Sequence, residues 1–322
     1  MTTFAERIDP ICERGGRGCL THQGIAARRR GRAATPAAIA LGAGLRIARE
    51  HRGISLRAMA AALGLEPATV SVLERAIRPP TVELTTRVLG FLVVNGDEYR
   101  RLRNLARHVK DPNWAEPGPC EYPAPLLEYE RTATTILAWA PKILPDLVQT
   151  PDYARAVLDS GILTSDEIGQ ELMLRLVRQD ALSGESPATL TILLSKEALT
   201  HRVVDPGVLR EQLRHLLTLI DTGRVAVRIM PADPHGQPSL LSPFSLLRFP
   251  QSTPAVAVCQ DHIHTYLTEP SYVDRYENSA DRLTQRALRE RNSRTHISEA
   301  LTKLEKTGQR TAESHHFAAP TG

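Results

Sequence analysis

Between Pro67 and Arg78 the chain reads PATVSVLERAIR, and several of its side chains are of types that can meet a nucleic acid. Arg75 carries the planar, paired donors that match a guanine edge, while Ala68 and Val72 can pack on thymine methyl groups. Thr69 and Ser71 are short hydroxyls able to bond a base edge or a phosphate, and Pro67 heads the same surface. Arg78, just beyond, and Arg57, ten residues before Pro67, are better placed as phosphate contacts, each adding about one counterion of salt dependence. This face holds no Asn or Gln for adenine, so a single copy is expected to read duplex DNA weakly and to lean on DNA shape.

Such a surface needs a short helix held across another. Ser55 is a side-chain acceptor suited to cap the first helix of the pair, and Gly64 supplies the conformational freedom of a tight turn. Pro67 fits a first helical turn, where its missing N–H costs nothing. Met59, Leu63, Leu65, Val70 and Leu73 give two crossed helices one shared core, and Ala60 is small where they approach. Read together with LGAGLRIAREHRGIS at Leu41–Ser55 and SVLER at Ser71–Arg75, the segment resembles the helix-turn-helix of the phage-repressor-like, or xenobiotic-response-element, regulators. That resemblance implies an all-α domain of five helices, DNA binding, and an ion pair between Arg49 and Glu74 pinning the first helix to the third.

Charge is divided unevenly along the 322 residues. Residues 1–111 hold 19 Lys and Arg against 10 Asp and Glu, and the remainder holds 21 against 26, giving the net +4. A basic first part and a mildly acidic second part are expected if only the first meets phosphates. There is no run of eighteen apolar residues to span a membrane and no secretory leader pattern. The four cysteines, Cys12, Cys19, Cys120 and Cys259, form no CxxC pair. A reducing cytoplasmic setting is expected.

The chain then divides as follows. Residues 1–37 read as a basic, disordered extension with Arg28-Arg29-Arg30-Gly31-Arg32, and 38–110 as the helix-turn-helix domain. Residues 111–125 hold five prolines and read as a stiff linker. Residues 126–306 read as an α+β domain, a small sheet packed by helices, for sensing and dimerisation; 307–322 read as a disordered tail. A helix is expected over Leu127–Trp139 and another over Asp166–Leu182, the latter with Leu172, Leu176 and Val177 on one face. Strands are expected at Thr189–Leu194, Val225–Met230, Phe244–Phe249, Ala255–Cys259 and Ile263–Leu267.

PDLVQTPDYARAVL (Pro145–Leu158), RLVRQ (Arg175–Gln179), REQLRHLL (Arg210–Leu217), VRIMP (Val227–Pro231) and SPFSLLRFP (Ser242–Pro250) look like the uncharacterised C-terminal domain of many actinobacterial regulators. The resemblance implies an antitoxin-like arrangement with a small acidic partner protein. Two positions depart from that pattern: Asp146 stands where glycine is usual, and Gln260 where an acidic residue is usual.

Arg175, Arg178 and Gln179 can face an anionic ligand or pin their helix to its neighbours, and Tyr153 beside Arg155 has the same two readings. Cys259, His262 and His264 invite a zinc site, but strand alternation points Cys259 away from the two histidines. No Ser-His-Asp order, phosphate loop or paired carboxylate motif is present, so no catalyst, metal or cofactor is expected. The expected function is a cytoplasmic DNA-binding transcriptional regulator acting as a homodimer. The alternatives are a small-molecule receptor in the C-terminal domain and, less favoured, a DNA-tethered enzyme.

Overall fold

Thr35 turns the chain into its first helix, its hydroxyl accepting from Ala38 N and donating to Val109 O at 2.6 Å. In the computed structural model, residues 34–117, 124–159, 163–181, 187–200, 203–231, 242–250, 254–260 and 263–316 are described. Five helices come first: α1 (Pro36–Glu50), α2 (Leu56–Leu63), α3 (Pro67–Glu74), α4 (Val82–Phe91) and α5 (Gly96–Arg107). Ser55 and Thr81 cap α2 and α4 by accepting from Ala58 N and Leu84 N. Gly64 ends α2 with φ +65°, in the left-handed region that glycine enters without a Cβ penalty. Leu41, Leu45, Met59, Val70, Leu89 and Leu102 are buried in one core among these helices.

The second part is a seven-stranded mixed sheet in the order β1-β7-β6-β5-β2-β3-β4. Its strands are β1 (Asn113–Pro117), β2 (Thr135–Ala140), β3 (Thr189–Ser195), β4 (Val225–Met230), β5 (Phe244–Arg248), β6 (Ala255–Gln260) and β7 (Ile263–Leu267). β2, β3 and β4 run parallel, joined by helical crossovers, and the other pairings are antiparallel. The helices are α6 (Ala124–Thr132), α7 (Pro151–Leu158), α8 (Ser165–Ala181), α9 (Pro206–Asp221), α10 (Pro270–Arg286) and α11 (Glu290–His316). Ile136, Ile192, Leu213 and Ile297 share a core on one face of the sheet. Trp139, Leu193, Phe244 and Leu283 form the core against α10 on the other.

Five expectations are corrected here. The helix expected over Leu127–Trp139 ends at Thr132, and TILAWA becomes β2, hydrogen-bonded on both sides. A fully buried central strand is apolar throughout, so it lacks the alternation that separates strand from helix. The linker expected at 111–125 contributes β1, an edge strand ending at Pro117, where a missing N–H breaks no internal ladder. Residues 34–37, expected within the extension, are packed instead: Ala37 is fully buried, and Ala34 O accepts from Tyr129 Oη at 3.0 Å. The tail expected to be loose from 307 continues α11 to His316, since extending a helix already nucleated by packing costs little. Finally, Leu176 and Val177 of α8 are exposed, and its arginines are buried instead. The basic run at 28–32, His262 and residues 317–322 lie outside the described residues.

The helical part and the sheet belong to one compact unit. Ala38 and Ile39 of α1 share a core with Leu126 and Tyr129 of α6, so α1 touches the C-terminal domain.

Candidate nucleic-acid interface

α2 and α3 meet at 110°, within the range of helix-turn-helix pairs. Two features of α1 hold α3 in that position. Arg49 donates from Nε to Glu74 Oε1 at 2.7 Å and from Nη2 to Oε2 at 2.9 Å, while its Nη1 donates to Ile54 O at 2.9 Å. Both residues are buried, and the Glu74 hydrogen bonds, partly offset by burial, raise the Arg49 pKa above its ordinary value. The second feature is Gly42. A Cβ there would lie 2.6 Å from Glu74 O and 2.9 Å from Leu73 O, so only glycine lets α1 approach the backbone of α3 this closely. Sequence reasoning missed Gly42, although a glycine inside a helix costs stability and calls for a packing reason.

With Val70, Leu73 and Glu74 turned inward, α3 presents its other side outward. Pro67, Ala68 and Arg75 are exposed, and Thr69, Ser71 and Val72 are half-buried. Arg57 and Arg78 are also exposed. Among the described residues none of Arg57, Arg75 and Arg78 makes an ion pair; Arg75 Nε bonds only Ser71 O, at 3.3 Å. Ala60 is buried in the core and Leu65 packs half-buried against it. Glu66, at the head of α3, is exposed and its carboxylate makes no capping bond, a feature sequence reasoning passed over.

The second group of candidates, Tyr153, Arg175, Arg178 and Gln179, also comes together, but through bonds within the fold. Arg178 donates from Nε and Nη2 to the two Glu130 carboxylate oxygens at 2.9 and 2.8 Å, and from Nη1 to Asp146 Oδ2 at 2.9 Å. Arg175 Nη1 donates to Gln149 Oε1, and Arg175 Nη2 lies 3.7 Å from Asp146 Oδ1. Gln179 Nε2 donates to Asp146 O at 2.9 Å and Gln149 O at 2.8 Å. Tyr153 Oη accepts from Leu144 N at 3.4 Å; burial, set against that bond, raises its pKa. These residues pin α8 to α6 and to the turn at Asp146–Val148.

Burial would push the Asp146 carboxyl up, but the Arg175 and Arg178 charges prevail and hold it below the ordinary carboxylate value. Glu171 on the same helix is raised, by burial first and then by the nearby Asp146 charge. His264 is lowered, by burial and then by Arg178. Among the described residues no group of three or more His, Cys, Asp or Glu side chains is placed to hold a metal. Among the described residues no single helix is long and apolar enough to cross a membrane.

Residues 40–102 match the family described as a helix-turn-helix domain, and residues 124–299 match a domain of unknown function, DUF5753. No curated protein matches the chain. One solved structure similar to it is that of TrmBL2, described as an archaeal chromatin protein with a novel mode of DNA binding. It is 14% identical, with 70% of this chain and 71% of that chain covered, at a TM-score of 0.27, too low to carry an argument. Since the longer match spans more than half of the 322 residues, the chain belongs to the DUF5753 family, with a helix-turn-helix domain ahead of its DUF5753 domain.

Proposed function

We propose that the protein is a sequence-specific regulator of transcription, not an enzyme, that binds duplex DNA through α3 and works as two copies on a two-part site. The observation that carries this reading is the outward face of α3, where Arg75 has no ionic partner among the described residues, on a helix fixed by a buried ion pair and a glycine contact. Arg75 reads guanine, Ala68 and Val72 pack on thymine methyls, and Pro67, Thr69 and Ser71 lie along the same groove. Glu66 adds an acceptor for a cytosine amino group at the head of the helix. Arg57 and Arg78 neutralise phosphates on either side. With so few bidentate donors, one copy discriminates poorly, and a second copy on an adjoining half-site supplies the rest.

The C-terminal domain is the receiving end. α1 lies between α3 and α6, so a shift of α6 would be felt at the reading helix. A small acidic partner fits the electrostatics of the basic N-terminal part, where it would compete with DNA. A second reading, a small polar ligand in the C-terminal domain, is favoured by one observation: Arg175 Nε and His264 Nδ1 are buried with no hydrogen-bond partner among the described residues. Selection of duplexes from a randomised pool with the full chain tests the main reading. Enrichment of one two-part sequence is expected, and a pool that stays random after repeated rounds contradicts it.

A further inference from the structure

α8 is turned inside out relative to an ordinary surface helix. Its arginines, Arg175 and Arg178, are 8% and 7% exposed, while Met173, Leu176 and Val177 are 64%, 45% and 52% exposed. The inner face carries buried Ile168 beside polar side chains bonded to Glu130, Asp146 and Gln149, while Met173, Leu176 and Val177 stand outside the hydrophobic core. Gly169 lies on the same stripe, four residues before Met173 and seven before Leu176, spacings that stack on one side of a helix. A Cβ added at Gly169 would meet nothing within 4 Å. Glycine in a helix interior costs stability relative to alanine, and the monomer offers no contact that requires it.

A recess at Gly169 and a projecting Leu176 are self-complementary. When a second α8 is laid antiparallel across the first, with the twofold axis beside Met173, each Leu176 falls over the other copy's Gly169. Knob and recess are separated along the helix by about 10 Å in both copies. No base is exposed on this stripe to repel its own image, because both arginines are turned inward. The surface thus meets the requirement of an isologous contact, in which one patch faces itself.

We infer that the outer stripe of α8, Gly169–Met173–Leu176 with Val177 beside it, is the surface through which a second copy of this chain docks. The inference rests on the two-copy reading above and supplies its interface. The contact is smaller than a standard interface, so the dimer forms weakly in solution and is completed on DNA. It would also fix the spacing of the two reading helices, because α8 is bonded to α6 through Arg178–Glu130, and Tyr129 of α6 is bonded to Ala34 at the head of α1.

Sedimentation of the full chain over a concentration series tests this, beside Leu176→Asp and Gly169→Leu. Leu176 is 45% exposed and a Cβ at Gly169 meets nothing within 4 Å, and thermal unfolding of dilute protein checks that the fold is kept. A monomer–dimer equilibrium weakened tenfold or more in both variants is the expected result. A dimer unchanged in both overturns the inference and leaves the two-copy reading standing. If the free chain is monomeric, the pool-selected duplex decides. Two copies bound cooperatively, with cooperativity lost in the variants, support the inference; two copies whose cooperativity survives overturn it. A single copy per selected duplex overturns the reading and the inference together.

Discussion

Each half of the molecule is tied by a buried arginine–glutamate pair, and the two pairs do different things. Arg49–Glu74 joins helices 25 residues apart in one small domain, and its partners sit within a recognisable motif. Arg178–Glu130 joins helices 48 residues apart, takes in Asp146 as a second acceptor, and reverses the orientation of the helix that carries the arginine. The first pair fixes the surface proposed to read DNA. The second frees an apolar surface by turning polar side chains inward. A buried ion pair is poor evidence of net stability, since desolvation consumes most of the attraction. What both pairs give is orientation.

Breaking the pairs one partner at a time should produce the largest effects. Arg178→Ala leaves Glu130 charged and buried, and a loss of about 3–5 kcal/mol in chemical unfolding is expected. Replacing both residues together by methionine should recover most of it; a double variant no more stable than the single one would show that the pair carries net stability. Arg49→Ala should cost a similar amount but act differently, with DNA binding lost at temperatures where circular dichroism still reports the sheet. Equal losses of DNA binding in the two single variants, at matched folded fractions, would erase the distinction between the pairs.

Smaller changes sharpen the same contrast. Gly42→Ala forces a methyl group against the carbonyls of Glu74 and Leu73, and about 1–3 kcal/mol of destabilisation is expected, with weakened DNA affinity. The smallest effect concerns pH. The Asp146 carboxyl is lowered in the folded state, so its contribution is fully present above its unfolded value of 3.8 and is lost as pH falls below that. Its side chain is 33% exposed, so solvent screening keeps the contribution under about 1 kcal/mol. Asp146→Asn should flatten the acid limb of stability against pH. In this chain Asp146 has a structural role as the second acceptor of Arg178.

The contrast also explains what could be read in the sequence. The helix-turn-helix was legible because each of its signals is local: Ser55 and Thr81 as caps, Gly64 as a turn, Pro67 as a start, and apolar spacing between them. The C-terminal class was legible from order and composition, but three of its parts were not. β2 is apolar on both faces and carries no period to distinguish it from a helix. β1 is an edge strand inside a proline-rich stretch, and only pairing with β7, some 150 residues away in the chain, makes it one. The orientation of α8 depends on Glu130 and Asp146, whose nearness to Arg178 is a tertiary fact. In the interface, the outward residues of α3 were readable from helical spacing, whereas the role of Gly42 needed the distance between two backbones.

The central claim is that α3 reads DNA sequence, and it is tested most directly by titrating the full chain against its selected duplex and a scrambled one across a salt series, beside Arg75→Ala and Arg78→Ala. The account predicts that Arg75→Ala loses about 1–3 kcal/mol of discrimination between the two duplexes. It predicts that Arg78→Ala weakens binding to both alike and lowers the salt slope by about one. Discrimination that survives Arg75→Ala undiminished, or a wild-type chain that binds neither duplex at low salt, would contradict it.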